Sequence, residues 1–136
     1  MLLVRHASAG KRDEWTGDDL VRPLDERGAR QAEALVELLS GYSIERILSS
    51  PAVRCLATVE PLARSRGLQI EVRAELAEEK QWTDGAALMR TLAAADVLAC
   101  GHGGLERATL TEPPRWKKGD VFVVDESLTV RHAFRP

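Results

Sequence analysis

Short apolar runs alternate with amphipathic segments along the whole chain. Runs dense in Leu, Ile, Val and Ala predict buried strands over 2–6, 44–48, 68–72 and 96–101. Between them, apolar positions at helical spacing predict helices over about 26–40, 51–66 and 84–94. Runs at 120–125 and 128–133 flank a tight turn and predict a terminal antiparallel hairpin. This alternation predicts an α/β protein with three α/β/α layers around a mostly parallel sheet.

Local signals set the predicted ends of the helices. Asp25 precedes the first helix and can cap it, because its carboxylate accepts from free amides of the first turn. Ser50 and Pro51 predict the start of the second helix, as cap and first residue, and Gly67 predicts its end. The polar segment between the first strand and the first helix predicts a long loop over the strand end.

Length, charge and cysteine usage narrow the class of protein. A chain of 136 residues favours one domain covering 1–136. A formal charge of −2 argues against binding of a nucleic-acid polymer. The first apolar run is too short to be a signal peptide or a membrane span. Cys55 and Cys100 lie in apolar contexts without CxxC spacing, which predicts reduced core residues and a cytoplasmic protein.

Cationic and imidazole side chains come directly after the predicted strands. Arg5 and His6 end the first strand, Arg54 lies one turn into the second helix, and His102 follows the fourth strand. Parallel strands end at one edge of a sheet, so these four side chains are predicted to converge there. Two guanidiniums match the oxygens of a phosphoryl group, and a neutral imidazole can attack phosphorus. The amide of Gly103 can also face an anion.

An acidic loop supplies the candidate general acid. Glu78 and Glu79 follow the third strand, and either one can serve this purpose. A carboxyl close to a negative phosphate is expected to have a raised pKa, so it would be protonated near neutrality.

With these residues in place, the chain resembles the histidine phosphatase superfamily, whose fold is that of the cofactor-dependent phosphoglycerate mutases. The family's motifs occur in order over almost the whole chain, as Arg5-His6-Ala7, Leu24 to Gly28, Ser49-Ser50-Pro51-Ala52-Val53-Arg54, Leu76-Ala77-Glu78 and Gly101-His102. Ala7 replaces the usual glycine. This variant and the small size are similar to the SixA-type phosphohistidine phosphatases. Residues 1–79 also resemble the histidine phosphatase domain of actinobacterial Nudix fusions.

The resemblance implies a mechanism and a division of roles. His6 would be the nucleophile, Glu78 the acid and His102 a further catalytic residue. Arg5, Arg54 and Gly103 would bind the phosphoryl group, and no metal or other cofactor is implied. The expected substrate is phosphohistidine on a protein, with nucleotides or other small phosphate esters as the alternative. A non-catalytic phosphate-binding module is the second alternative, and neither reading needs a membrane.

Overall fold

One six-stranded sheet runs through the middle of the molecule. The computed structural model describes residues 1–136. Its strands are β1 (Leu2–Arg5), β2 (Arg46–Ser49), β3 (Ile70–Val72), β4 (Val97–Gly101), β5 (Val121–Val124) and β6 (Val130–Phe134). They lie in the order β3-β2-β4-β1-β5-β6. The first four in this order are parallel, and β5 and β6 are antiparallel, as predicted for the terminal hairpin.

The helices cover both faces of the sheet. They are α1 (Glu26–Leu38), α2 (Val53–Arg66), α3 (Ala86–Thr91) and α4 (Leu105–Thr109). Alternate residues of β1 point to opposite faces, as the period of a strand requires. Leu2 and Val4 pack with Leu35 of α1 and Leu62 of α2. Leu3 packs with a second core cluster that includes Met89 of α3 and Leu105 of α4. The predicted α/β fold is therefore confirmed.

The register of the parallel strands aligns their carboxyl ends. Arg5 pairs with Gly101 across β1 and β4, and Ser49 pairs with Cys100 across β2 and β4. The segments that follow these three strands therefore leave the sheet side by side. This is the edge at which open α/β sheets place their ligands.

Two predicted helix starts are wrong. α2 begins at Val53, and Ala52 occupies the cap position without a side-chain hydrogen bond, so Ser50 is not the cap. The third helix, predicted to start at about residue 84, begins earlier, as a π-helical turn over Gln81–Gly85 that continues into α3. In contrast, Asp25 caps α1 by accepting from the Gly28 amide at 2.8 Å, as expected.

Gly67 ends α2 in the left-handed region with φ of 65°, which confirms its predicted role. No helix has the length and apolar character that crossing a membrane requires.

Candidate active site

The two histidines predicted at strand ends lie side by side. The His6 ring centroid is 5.5 Å from the His102 centroid, and both residues are buried. A cavity of about 450 Å³, here called the phosphoryl pocket, is lined by five of the six predicted site residues, namely Arg5, His6, Glu78, His102 and Gly103. The sixth, Arg54, lines an adjoining cavity instead, and its NH2 lies 3.4 Å from His102 Nδ1.

The hydrogen bonding of His6 leaves one ring nitrogen free. Nδ1 lies 2.9 Å from the carbonyl oxygen of Ala7. A carbonyl only accepts, so Nδ1 carries the proton and Nε2 keeps its lone pair. Burial, partly offset by the Ala7 contact and reinforced by the charges of His102, Arg54 and Arg5, lowers the pKa of His6 to about 3. His6 is therefore neutral near pH 7, which is the form a nucleophile needs.

The loop after β1 is held in place by side chains from both neighbouring helices. The Ala7 amide donates to Thr58 Oγ1 of α2 at 2.9 Å. The Asp25 carboxylate accepts from the Ser8 hydroxyl and the Gly10 amide. A Cβ on Gly28 would lie 1.9 Å from the Ser8 carbonyl oxygen, so only glycine lets α1 approach the loop this closely. These contacts fix the backbone that carries His6.

Two polar side chains position His102. The Ser50 hydroxyl lies 2.8 Å from Nε2. Gln81 is fully buried, and its Oε1 accepts from the His102 amide while its Nε2 donates to the Gly103 carbonyl. Nδ1 of His102 is left facing Arg54 and Glu78, with Glu78 Oε2 at 4.0 Å. A guanidinium only donates, so His102 Nδ1 is the acceptor of its contact with Arg54 NH2 in this arrangement.

The two arginines are held differently. Arg54 is 2% exposed, and its NH1 donates to the Asp19 carbonyl while its NH2 lies 3.1 Å from an oxygen of the Asp19 carboxylate. Arg5 donates from NH1 to the Trp116 carbonyl at 2.8 Å, and burial lowers its pKa. Nε of each arginine is buried without a partner in the protein. A Cβ on Gly103 would lie 2.9 Å from Arg5 Cζ, so this glycine makes room for the guanidinium.

Glu78 reaches the pocket, but its protonation differs from the prediction. Its two oxygens accept from Arg12 NH2 at 2.6 and 2.7 Å, and Oε2 lies 3.6 Å from Arg54 NH2. Burial raises the pKa of Glu78, but the Arg12 hydrogen bond and the charges of His102, Arg12 and Arg54 outweigh it, so the pKa is lowered. The sequence predicts a raised pKa for a carboxyl beside a bound phosphate, whereas the cations around Glu78 lower its pKa in this arrangement.

A second cavity, here called the acidic cleft, joins the phosphoryl pocket at Glu78 and His102. Its volume is about 540 Å³. Four carboxylates line it, from Asp18, Asp19, Glu78 and Glu79, together with Arg54 and the small apolar side chains of Ala52 and Ala77. Glu79 lines this cleft but not the phosphoryl pocket. The two predicted candidates for the acid therefore differ in position, and Glu78 alone borders both spaces.

Sequence reasoning missed the residues that support the pocket. Asp19, Arg12, Ser50 and Gln81 each contact a predicted site residue. Asp19, Arg12 and Gln81 do not follow a strand in a recognisable pattern. Ser50 did carry a signal, since its place directly after a strand was visible. That signal was interpreted as a helix cap.

Comparison with known proteins identifies the class of this site. The model of the histidine phosphatase superfamily, branch 1, matches residues 1–85. The chain belongs to that family. An 8-oxo-(d)GTP phosphatase from Mycolicibacterium smegmatis is 41% identical over 92 residues, which are 68% of this chain. The chain spans 29% of the length of that relative.

Solved structures match over almost the full length. The protein histidine phosphatase SixA in complex with tungstate superposes with a TM-score of 0.77 at 24% identity, covering 97% of this chain and 94% of that one. A protein assigned as SixA from Agrobacterium tumefaciens gives 0.80 at 25% identity, covering 99% and 96%. The alpha-ribazole phosphatase from Shigella flexneri gives 0.64 at 17%, covering 96% and 93%.

These comparisons confirm the predicted family and the phosphoglycerate mutase-like fold. The family and the named relatives indicate a phosphatase enzyme, as the sequence predicted. The relatives carry different printed substrates, so the substrate of this chain is a separate question.

Proposed function

We propose that this chain is a phosphohistidine phosphatase that acts through a covalent phosphohistidine on its own His6. The observation that carries the proposal is the free Nε2 of a neutral, buried His6 beside Arg5, Arg54 and His102. A phosphoryl group bound there would have its oxygens facing cationic donors, which stabilise charge in the transition state.

The reaction has two balanced steps. In the first, His6 Nε2 forms a bond to phosphorus, the bond to the leaving group breaks, and the leaving atom keeps the electron pair. In the second, water attacks phosphorus, Glu78 accepts its proton, and the P–Nε2 bond breaks with its electron pair staying on Nε2, which releases inorganic phosphate. Glu78 then loses that proton to solvent or donates it to the leaving atom of the next turnover. Glu78 is ionised in its present surroundings, so it suits the second step directly.

The ionised Glu78 also favours substrates that need little proton donation in the first step. A phosphorylated imidazole is such a substrate, because its leaving nitrogen departs from a ring that can already be protonated. The departing group would enter the acidic cleft, whose carboxylates stabilise a cation better than an anion. The nucleoside monophosphate that leaves a nucleoside diphosphate substrate would meet those carboxylates with like charge.

A second candidate is hydrolysis of nucleotides or other small phosphate esters. The relative that favours it is named as an 8-oxo-(d)GTP phosphatase and shares 41% identity over 92 residues. Lys11, Arg12 and Lys118 on the rim of the phosphoryl pocket could contact further phosphates. A cytoplasmic location is part of the proposal and rests on the two free buried cysteines.

The test compares kcat/KM for a phosphohistidine-bearing protein, nucleoside diphosphates and p-nitrophenyl phosphate. We expect the phosphohistidine protein to be preferred over the diphosphates by about tenfold or more, because of the charge in the cleft. We expect His6→Ala to remove turnover of all three, and His132→Ala, an exposed histidine on β6, to keep turnover within about twofold. Preference for the diphosphates would favour the second candidate. Equal rates in wild type and His6→Ala would leave only a phosphate-binding module.

A further inference from the structure

A third cavity, here called the basic pocket, opens beside the phosphoryl pocket. Its volume is about 300 Å³. It is lined by five cationic residues and no carboxylate, namely Arg5, Arg27, Arg115, Lys117 and Lys118, together with Ser8, Gln31 and Trp116. It shares Arg5 and Lys118 with the phosphoryl pocket and shares no residue with the acidic cleft. The phosphoryl pocket therefore has an acidic neighbour and a basic one.

These cations differ from most others in the chain in having no carboxylate partner. Arginines elsewhere pair with acids, as Arg46 does with Glu71 and Arg131 with Asp125. No ion pair involves any of the five cations of the basic pocket, whose side chains come from three separate segments of a chain with net charge −2. Like charges that lie close together repel one another and destabilise the folded state. A bound anion between them would relieve this repulsion.

Two details indicate that the shared wall of the pockets lacks an anionic partner. Arg5 Nε is buried and makes no hydrogen bond within the protein. Burial lowers the pKa of Lys118, and the nearby charges of Arg5, Arg22 and Arg54 lower it further, against the opposing effect of Asp25. An anion between these groups would offset both the repulsion and the missing hydrogen bond.

We infer that the basic pocket is a second oxyanion site, which binds a phosphoryl group next to the reacting one. Guanidinium groups bind phosphate through paired donors, and the pocket offers three of them with two ammonium groups. The volume suits a phosphate or the non-reacting phosphoryl group of a small molecule, and it is too small for a folded protein element. The inference concerns binding alone and stands whether or not the proposed substrate is correct.

The oxyanion in the basic pocket could come from two sources. It could be a free phosphate ion, or it could be a second phosphoryl group on the molecule bound at His6. Inorganic phosphate and inorganic pyrophosphate distinguish them. If one molecule spans both pockets, we expect pyrophosphate to inhibit p-nitrophenyl phosphate turnover about tenfold more tightly than phosphate does. If the second site takes a free ion, the two inhibitors will have similar inhibition constants while the basic pocket binds phosphate separately.

The deciding experiment is a titration of the full ¹⁵N-labelled chain with inorganic phosphate, followed by amide NMR shifts at Gln31, Lys117 and Gly119. We expect phosphate to shift these amides, and the shifts give a dissociation constant for the basic pocket. In the double variant Arg27→Gln/Arg115→Gln this dissociation constant should rise about tenfold or more. The constant for competitive inhibition of p-nitrophenyl phosphate turnover by phosphate, which reports the phosphoryl pocket, should change less. Arg30→Gln, an exposed cation on α1 outside the pocket, is the matched control and should change neither constant.

Thermal unfolding of each variant checks that it is folded. Absence of these shifts would overturn the inference. The inference would also be overturned if the dissociation constant from the shifts equalled the competitive inhibition constant in wild type and in both variants. The shifts would then report only the phosphoryl pocket.

Discussion

The phosphoryl pocket and its rim are built in different ways. His6 and His102 follow adjacent central strands, and each is buried and held through its own backbone. Arg12, Asp19 and Glu78 come from loops, are largely or partly exposed, and hold one another through ion pairs. The side chains that would bind phosphorus are thus fixed by the sheet. The side chains that would transfer the proton and contact the leaving group are held by ion pairs, which a bound ligand could replace.

Among substitutions that test this difference between pocket and rim, we expect the largest loss of activity at Arg54. Its guanidinium is buried and directed by Asp19, and lysine cannot reproduce its forked donors. We expect Arg54→Lys to lower kcat/KM for p-nitrophenyl phosphate by about 10²–10³-fold, similar to the loss of an oxyanion donor. Arg64→Lys on the exposed face of the same helix is the control. Equal and small effects at both positions would contradict the role of the Arg54 guanidinium in binding the phosphoryl group.

The rim is tested at Glu78, where the effect should depend on the leaving group. We expect Glu78→Gln to slow hydrolysis of alkyl phosphates by about 10²-fold and to slow that of good leaving groups much less. Glu79→Gln lines only the acidic cleft and should show no such dependence. Steady-state kinetics over a series of leaving groups measures this, and a uniform loss in Glu78→Gln would argue for a purely structural carboxylate.

A smaller effect is expected at Ser50, which lines the acidic cleft and contacts the ring of His102. Loss of its hydroxyl removes the 2.8 Å partner of His102 Nε2. We expect Ser50→Ala to lower kcat/KM about three- to tenfold, in line with one lost hydrogen bond. Ser65→Ala near the end of α2 is the control, and an unchanged kcat/KM in Ser50→Ala would contradict the positioning role.

The pocket also predicts a pH dependence of stability. The pKa of His6 is about 3 in the folded chain against an ordinary value of 6.5. Between these values the unfolded chain binds a proton at this site that the folded chain does not, so the free energy of unfolding decreases as pH falls. The slope is at most about 1.4 kcal/mol per pH unit for one proton.

His6→Asn should remove this contribution. Denaturant unfolding between about pH 4.5 and 7 should therefore show a shallower pH slope in His6→Asn than in wild type. Identical slopes in the two proteins would mean that His6 is not held neutral by the fold. His132→Asn, at an exposed position on β6, is the control substitution.

The sequence predicted the pocket better than its rim for a physical reason. Arg5, His6 and His102 directly follow buried strands, and the parallel topology brings the ends of such strands together whatever the loops do. Asp19 and Arg12 lie in a long polar loop, whose path depends on tertiary contacts that no local pattern encodes. Ser50 was placed correctly but given the wrong role, because a helix cap and a histidine partner require the same residue at the same point.

The same difference explains the pKa of Glu78. Its position after the third strand was visible, but its surroundings depend on Arg12, which lies 66 residues earlier in the chain. The protonation state of a rim residue therefore follows from the folded loops, whereas the neutral state of His6 follows from burial at the sheet.

The central claim is that His6 Nε2 is the nucleophile. Rapid quenching of the enzyme with radiolabelled p-nitrophenyl phosphate, in alkali that preserves phosphohistidine, followed by peptide mapping, tests it directly. We predict a transient phosphoryl group on the peptide that contains His6, absent in His6→Ala and present in His132→Ala. Undiminished turnover in His6→Ala, or label on a different residue of the wild-type enzyme, would contradict the account.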